Sequence, residues 1–145
     1  VTNSLEDAQA SPNFKALGRT VERLRTPVGF VEPDSTLLYL NSAGARLLGR
    51  SESELLGSQM LALVHPDDRE RVERKFEGIV RGAVAGGFTQ FRVRAEDNKG
   101  WVVIDCYAHN LVDDPEVRSI IVSFGEVTEQ YRLSKALRAL SNSNH

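Results

Sequence analysis

The chain has 145 residues, 41% of them apolar and 26% charged, and a formal net charge of −2. Those values suit one soluble globular domain that buries roughly two thirds of its unfolded surface, and they argue against a nucleic-acid partner, which leaves a basic stripe. No run of about 18 apolar residues is present to span a membrane, and the single cysteine allows no internal disulfide.

Residues 1–13 are small and polar and read as a flexible leader, with neither the basic start nor the apolar core of a secretory signal, so a cytoplasmic setting is expected. Phe14, Leu17, Val21 and Leu24 then recur on one helical stripe, which predicts a helix over 14–26 stopped by Thr26-Pro27. Gly18 weakens that helix by about 1 kcal/mol relative to alanine, so it needs a surface to dock on. Val28–Val31 and Thr36–Leu40 read as a strand pair around the turn residues Glu32-Pro-Asp-Ser35. Asn41 is placed to cap a short helix from Ser42 to about Leu48, closed by Gly49. Ser51-Glu-Ser-Glu54 is a capping box for another, running through Leu56.

His65-Pro66-Asp67-Asp68 marks the start of a longer helix, with proline in the first turn and acids at the positive end of the dipole. Val72, Phe76, Ile79 and Val80 form its core stripe, and the intervening Arg, Glu and Lys are assigned to water. Two long strands, about Phe88–Ala95 and Trp101–Asn110, flank Glu96–Gly100, where Asn98 and Gly100 tolerate positive φ. A turn at Asp113-Asp-Pro115, a last strand at Ile120–Phe124 and a helix from about Val127, with Leu133, Ala136, Leu137 and Leu140 along one side, complete the chain.

This order of elements resembles a PAS domain over about residues 14–132. The resemblance is carried by Leu37–Asn41 running into the helix to Gly49, by Ser51–Gly57, by Val64-His-Pro-Asp-Asp-Arg-Glu-Arg-Val72, by the Trp101 strand, and by Ile120–Phe124 with Gly125-Glu-Val-Thr-Glu129. It implies an α+β, PAS-like fold: a five-stranded antiparallel sheet with helices packed on one face, a flanking helix at 14–26, a core at 27–126 and a signalling helix or linker at 127–145. Asp34-Ser35 stands where members often have Asp-Gly, and Glu126-Val127-Thr128 where they often have Asp-Ile-Thr. By the same resemblance, Glu126, Val127 and Thr128 relay a signal from the last strand to a covalently attached output domain, such as a histidine kinase, a cyclic-di-GMP enzyme or a transcription factor. The Asp113–Arg118 turn resembles bacterial members.

Strand alternation sorts the side chains onto two faces. Val31, Leu40, Phe91, Val93, Ile104, Cys106, Val122 and Phe124 face Val72, Phe76 and Ile79, enclosing a volume where PAS-like folds hold a ligand when they hold one. Either side chains fill it or a small apolar ligand does. The opposite face carries Phe30, Trp101, Val103, Tyr107 and Ile121. With the stripe of Phe14, Leu17, Val21 and Leu24 it is read as a homodimer face, the alternative being a monomer whose helix covers its own sheet. The competing functions are therefore a ligand sensor and a constitutive dimerisation module with a filled core.

No cofactor is expected. His65 sits before the long helix, where capping suits it better than haem ligation; Cys106 lies on a late strand rather than the helical segment that carries the flavin-reactive cysteine of light sensors; and Trp101 reads as structural rather than flavin-stacking. Neither His109 nor His145 has a partner at metal-ligand spacing. No enzyme is read either: Asp67, Asp68, Glu70 and Glu73 are assigned to a solvated face and cap, Asp105 to the outer sheet face, and Gly82–Gly87 lacks the lysine of a phosphate loop.

Overall fold

A computed structural model of the chain describes residues 12–94, 100–127, 133 and 136–141. Its elements are α1 (Pro12–Glu22), β1 (Val28–Val31), β2 (Leu37–Leu40), α2 (Ser42–Leu48), α3 (Glu52–Leu55), a 3-10 turn (Met60–Leu63), α4 (Pro66–Val80), β3 (Gly86–Arg94), β4 (Trp101–Leu111) and β5 (Ser119–Glu126). The strands form one antiparallel sheet in the order β2-β1-β5-β4-β3. This is the five-stranded α+β architecture expected from the resemblance.

Local chemistry explains most boundaries. α1 opens at Pro12, two residues before the helix expected from Phe14, because a first-turn proline gives up an N–H that has no helical partner. The Phe14 side chain lies outside the described part of the structure, as do residues 1–11. α2 ends at Gly49, whose φ of 68° is the left-handed closure that glycine adopts cheaply. Inside α2, a side chain on Gly44 would press to 2.5 Å from Leu40 Cδ1, so any larger residue here would push the Leu40 side chain aside. Half of the capping box of α3 is formed: Ser51 Oγ accepts from Glu54 N at 3.3 Å, the Glu54 carboxylate takes its bond from Ser51 Oγ at 2.9 Å, and the helix stops at Leu55 rather than Leu56. Met60–Leu63, which carried no assignment in the sequence, winds as a 3-10 turn, and Val64 after it bridges to Val93. Residues 136–141 are helical; the Asn98 turn and Thr128 lie outside the described residues.

The β1–β2 hairpin contains a slip: Phe30 pairs with Tyr39 and Val31 with Leu37, leaving Leu38 as an extra residue. The bulge turns Leu38 and Tyr39 together towards α1 while Leu37 and Leu40 keep facing the inner core. Val21, Val28, Phe30 and Leu38 form the resulting outer cluster, with Leu17, Tyr39 and Ile121 packed against it. Polar contacts lock the helix down. The Tyr39 hydroxyl lies 2.9 Å from Gly18 O and 2.7 Å from Glu22 Oε2, and Glu22 also accepts from Ser42 N and Ser42 Oγ. The Gly18 backbone rests on the Tyr39 ring, which is the docking surface this glycine-weakened helix requires.

This arrangement corrects part of the homodimer-face reading. Phe30 is 0% exposed and Val21 is buried, both sealed by the protein's own helix. Val103 is buried as well, and Val127 N extends the β4–β5 ladder beside it, donating to Val103 O at 2.9 Å. Trp101 is half-buried, its ring 4.3 Å from that of His65 and 5.3 Å from the Arg94 guanidinium carbon, so it pins the end of the β3–β4 hairpin to the start of α4. Leu17 on α1 and Ile121 beneath it are half-buried. Open apolar surface remains at Leu24, 48% exposed, and at the stacked pair Phe88–Tyr107.

Candidate functional site

Asn41 shapes one side of the site by joining three elements. Its Oδ1 accepts from Gly44 N at 2.9 Å and Val28 N at 3.0 Å, while its Nδ2 donates to Thr26 O at 2.9 Å and Val21 O at 3.1 Å. The residue is 0% exposed and uses two donors and two acceptor positions, so its burial costs no unpaired polar group. One side chain thus caps α2, holds the start of β1 and fastens the end of α1. Ser35, at the first hairpin, sits at φ 71°, the conformation for which a glycine would be usual. It is retained by a hydrogen bond: its Oγ accepts from Leu61 N at 3.2 Å, tying the hairpin to the 3-10 turn.

His65 caps α4 as its position suggests, Nδ1 accepting from Asp67 N at 3.0 Å. The polar side of α4 departs from the solvated face assigned to it. β3 is the sheet's edge, and α4 supplies with side chains the bonds that a sixth strand would otherwise make. Lys75 Nζ donates to Phe88 O; Arg71 donates to Gln90 O and Thr89 Oγ1, both at 2.9 Å; His65 N donates to Arg92 O at 2.8 Å. Asp68 accepts from Arg92 N, Nε and Nη2 at 2.9, 3.0 and 3.0 Å. These bonds hold the Asp68 carboxyl down at about 2, against the opposing effect of burial. Asp68 is thus a half-buried anchor and no part of a solvated cap. Asp67, Glu70 and Arg74 stay at the surface, the last two paired at 2.9 Å.

Between this seam and the sheet lies a cavity of about 110 Å³. The structure brings all eleven of the inner-face residues to its wall: Val31 and Leu40 from the first hairpin, Val72, Phe76 and Ile79 from α4, Phe91 and Val93 from β3, Ile104 and Cys106 from β4, and Val122 and Phe124 from β5. The lining is almost wholly apolar. Burial pushes the Cys106 thiol up to about 12, so it is a protonated, weakly polar wall group rather than a nucleophile. The sequence reading missed Lys75 and Thr89, which also line the cavity where α4 meets β3. A signal was available: Asp68, Arg71 and Lys75 recur at i, i+3 and i+7, a second stripe beside Val72–Phe76–Ile79.

Glu126 closes β5 opposite Ile104 and is exposed, and Val127 follows with its bond to Val103. Asp105 is on the outer face, bonded by Gln90 Nε2 at 2.5 Å. Among the described residues no group of three His, Cys, Asp or Glu is placed to hold a metal ion, and no helix is long and apolar enough to cross a membrane.

The sequence matches the PAS fold over residues 21–132. The chain belongs to the PAS family. Comparison with curated proteins gives no match. Among solved structures, the chain is similar to a PAS domain from Colwellia psychrerythraea at 14% identity, with a TM-score of 0.67 over 79% of this chain and 97% of that one. It is similar to a PAS domain from a two-component sensor histidine kinase at 19% identity, with a TM-score of 0.59 over 79% and 96%. A third is the PAS domain of the Cronobacter turicensis RpfR quorum-sensing receptor in complex with BDSF, at 16% identity and a TM-score of 0.60 over 73% and 97%. At these identities the likeness is one of fold.

Proposed function

We propose that this PAS domain is a sensory module that takes a small, mainly apolar ligand into the cavity and relays its presence through β5 to an output domain of a larger signalling protein. One observation supports it above the others. The cavity is apolar and lies between sheet and helices, and its wall includes Val122 and Phe124 of β5, the strand that leads to Glu126 and Val127. A ligand that reorders those two side chains acts on the strand that carries the chain out of the domain. An engineered apolar cavity of about 150 Å³ holds benzene, so this space suits a body of comparable size. The PAS domains of a sensor kinase and of a ligand-bound quorum-sensing receptor are consistent with that role. The domain signals without chemistry of its own, in the cytoplasm.

Native mass spectrometry of the protein as purified from its host tests the first half of the reading: a bound mass released on denaturation supports it. Glu126→Ala in the full-length protein tests the second. The proposal expects ligand affinity to be retained while output no longer responds to the ligand. Regulation that survives Glu126→Ala removes the relay.

A second reading, homodimerisation through the outer face, is favoured by a separate observation. Phe88 and Tyr107 stack with ring centres 4.7 Å apart on β3 and β4, yet are 38% and 51% exposed. α1 covers the β1 and β2 side of this face and leaves that pair bare.

A further inference from the structure

We infer that the ligand is a monocarboxylate with a short apolar tail, its head held by Lys75 at the α4–β3 seam; the inference rests on the reading that the cavity takes a ligand at all. Among the described residues, Lys75 is the one charged residue in the cavity wall. Its Nζ is bonded to the Phe88 carbonyl, and among the described residues no carboxylate pairs with it. The neighbouring Arg71 is already committed, to Thr89 Oγ1, Gln90 O and, at 3.6 Å, Asp68 Oδ1. The seam therefore offers one uncompensated positive charge beside a neutral, apolar chamber, which matches a single negative charge on an apolar body.

The geometry lets the head stay wet while the tail is buried. Lys75 is exposed, and its Cε lies 3.3 Å from where a side chain on Gly87 would begin, so the stem spans the gap that Gly87 leaves in β3. A carboxylate arriving there brings the ammonium an opposite charge, an attraction that the neutral Phe88 carbonyl does not supply, and the lysine has further donors to hold it. The tail then runs towards Ile104 and Val122. The size of the chamber limits it to roughly six carbons by comparison with cavities that hold benzene.

Calorimetric titration of the 145-residue chain with hexanoate, hexan-1-ol and hexylamine tests this, repeated on Lys75→Met and Lys75→Gln. The expected result is hexanoate binding roughly tenfold more tightly than hexanol, with hexylamine weakest. In both variants the tenfold preference for hexanoate over hexanol falls to about one. Nuclear Overhauser contacts from the tail to Ile104 and Val122 methyls complete the expected set. If hexanol matches hexanoate in the wild type, or either folded variant keeps the preference, the lysine does not select the head group and only the cavity reading stands. If none of the three binds, both fall.

Discussion

A single buried amide decides how three elements meet, and it does so because every polar atom of Asn41 has a partner. Replacing it with alanine removes four hydrogen bonds and strips Val28 N, Gly44 N and Thr26 O of their Asn41 partner, while Val21 O keeps its bond from Leu24 N at 3.0 Å. Buried groups left unpaired cost about 1–3 kcal/mol each before relaxation, so Asn41→Ala is expected to destabilise the domain by about 3–4 kcal/mol in urea unfolding. Asn41→Asp keeps both acceptances but sets a carboxylate against two carbonyls, so its deficit should shrink as pH falls and the acid becomes a donor. An Asn41→Asp deficit that does not change with pH would mean that the donated bonds carry no weight. Asn41 was legible in the sequence because a cap is a local device: the asparagine, the helix and the stopping glycine are adjacent. Its bonds to Val21 and Thr26 were not, since they depend on where α1 docks. Ser35 is the converse case. Serine gives no hint of positive φ, and only the fold shows that its hydroxyl serves Leu61 N where a glycine would have nothing to offer.

At the scale of the element, α4 shows why periodicity identifies a core face and says little about the rest. Val72, Phe76 and Ile79 were readable as a stripe because burial repeats every three to four residues. Asp68, Arg71 and Lys75 looked solvated because long charged side chains ordinarily are. They reach the rim of the sheet only because the strand order makes β3 an edge, and strand order is invisible to spacing. The seam carries a pH signature. The Asp68 carboxyl titrates at about 2 in the folded domain, below its ordinary 3.8. Its contribution is therefore complete above pH 4–5 and is lost as pH falls towards 2, in all about 2 kcal/mol. Asp68→Asn should lower stability by about that amount at pH 7, and the gap to the wild type should close near pH 2 in denaturation curves. Parallel wild-type and variant curves across that range would show that Arg92 does not hold the carboxylate.

For the whole molecule, the sequence placed apolar residues on both sides of one sheet but could not say which side the chain itself covers. The inner residues were found because enclosure gathers every alternate position, whichever helix does the covering. The outer ones divide: α1 seals Phe30 and Val21, whereas Phe88 and Tyr107 keep an apolar surface in water. Phe88 was passed over because it begins a strand and pairs with Tyr107 only once the β3–β4 register is known. An exposed aromatic pair on the side of the sheet that α1 leaves uncovered is a nucleus for a two-fold contact, in which each copy presents the same patch to the other. If that contact forms, Phe88→Ser combined with Tyr107→Ser removes its apolar centre, and the sedimentation coefficient at about 100 μM should fall from a dimer's value to a monomer's, because centrally packed aromatics carry most of an interface's energy. The fold should tolerate the change, since both rings already stand partly in water. Ligand affinity in the cavity on the other face should be unchanged. A wild-type chain that sediments as a monomer at that concentration would leave the outer pair unpartnered and put all of the domain's signalling on the cavity and β5.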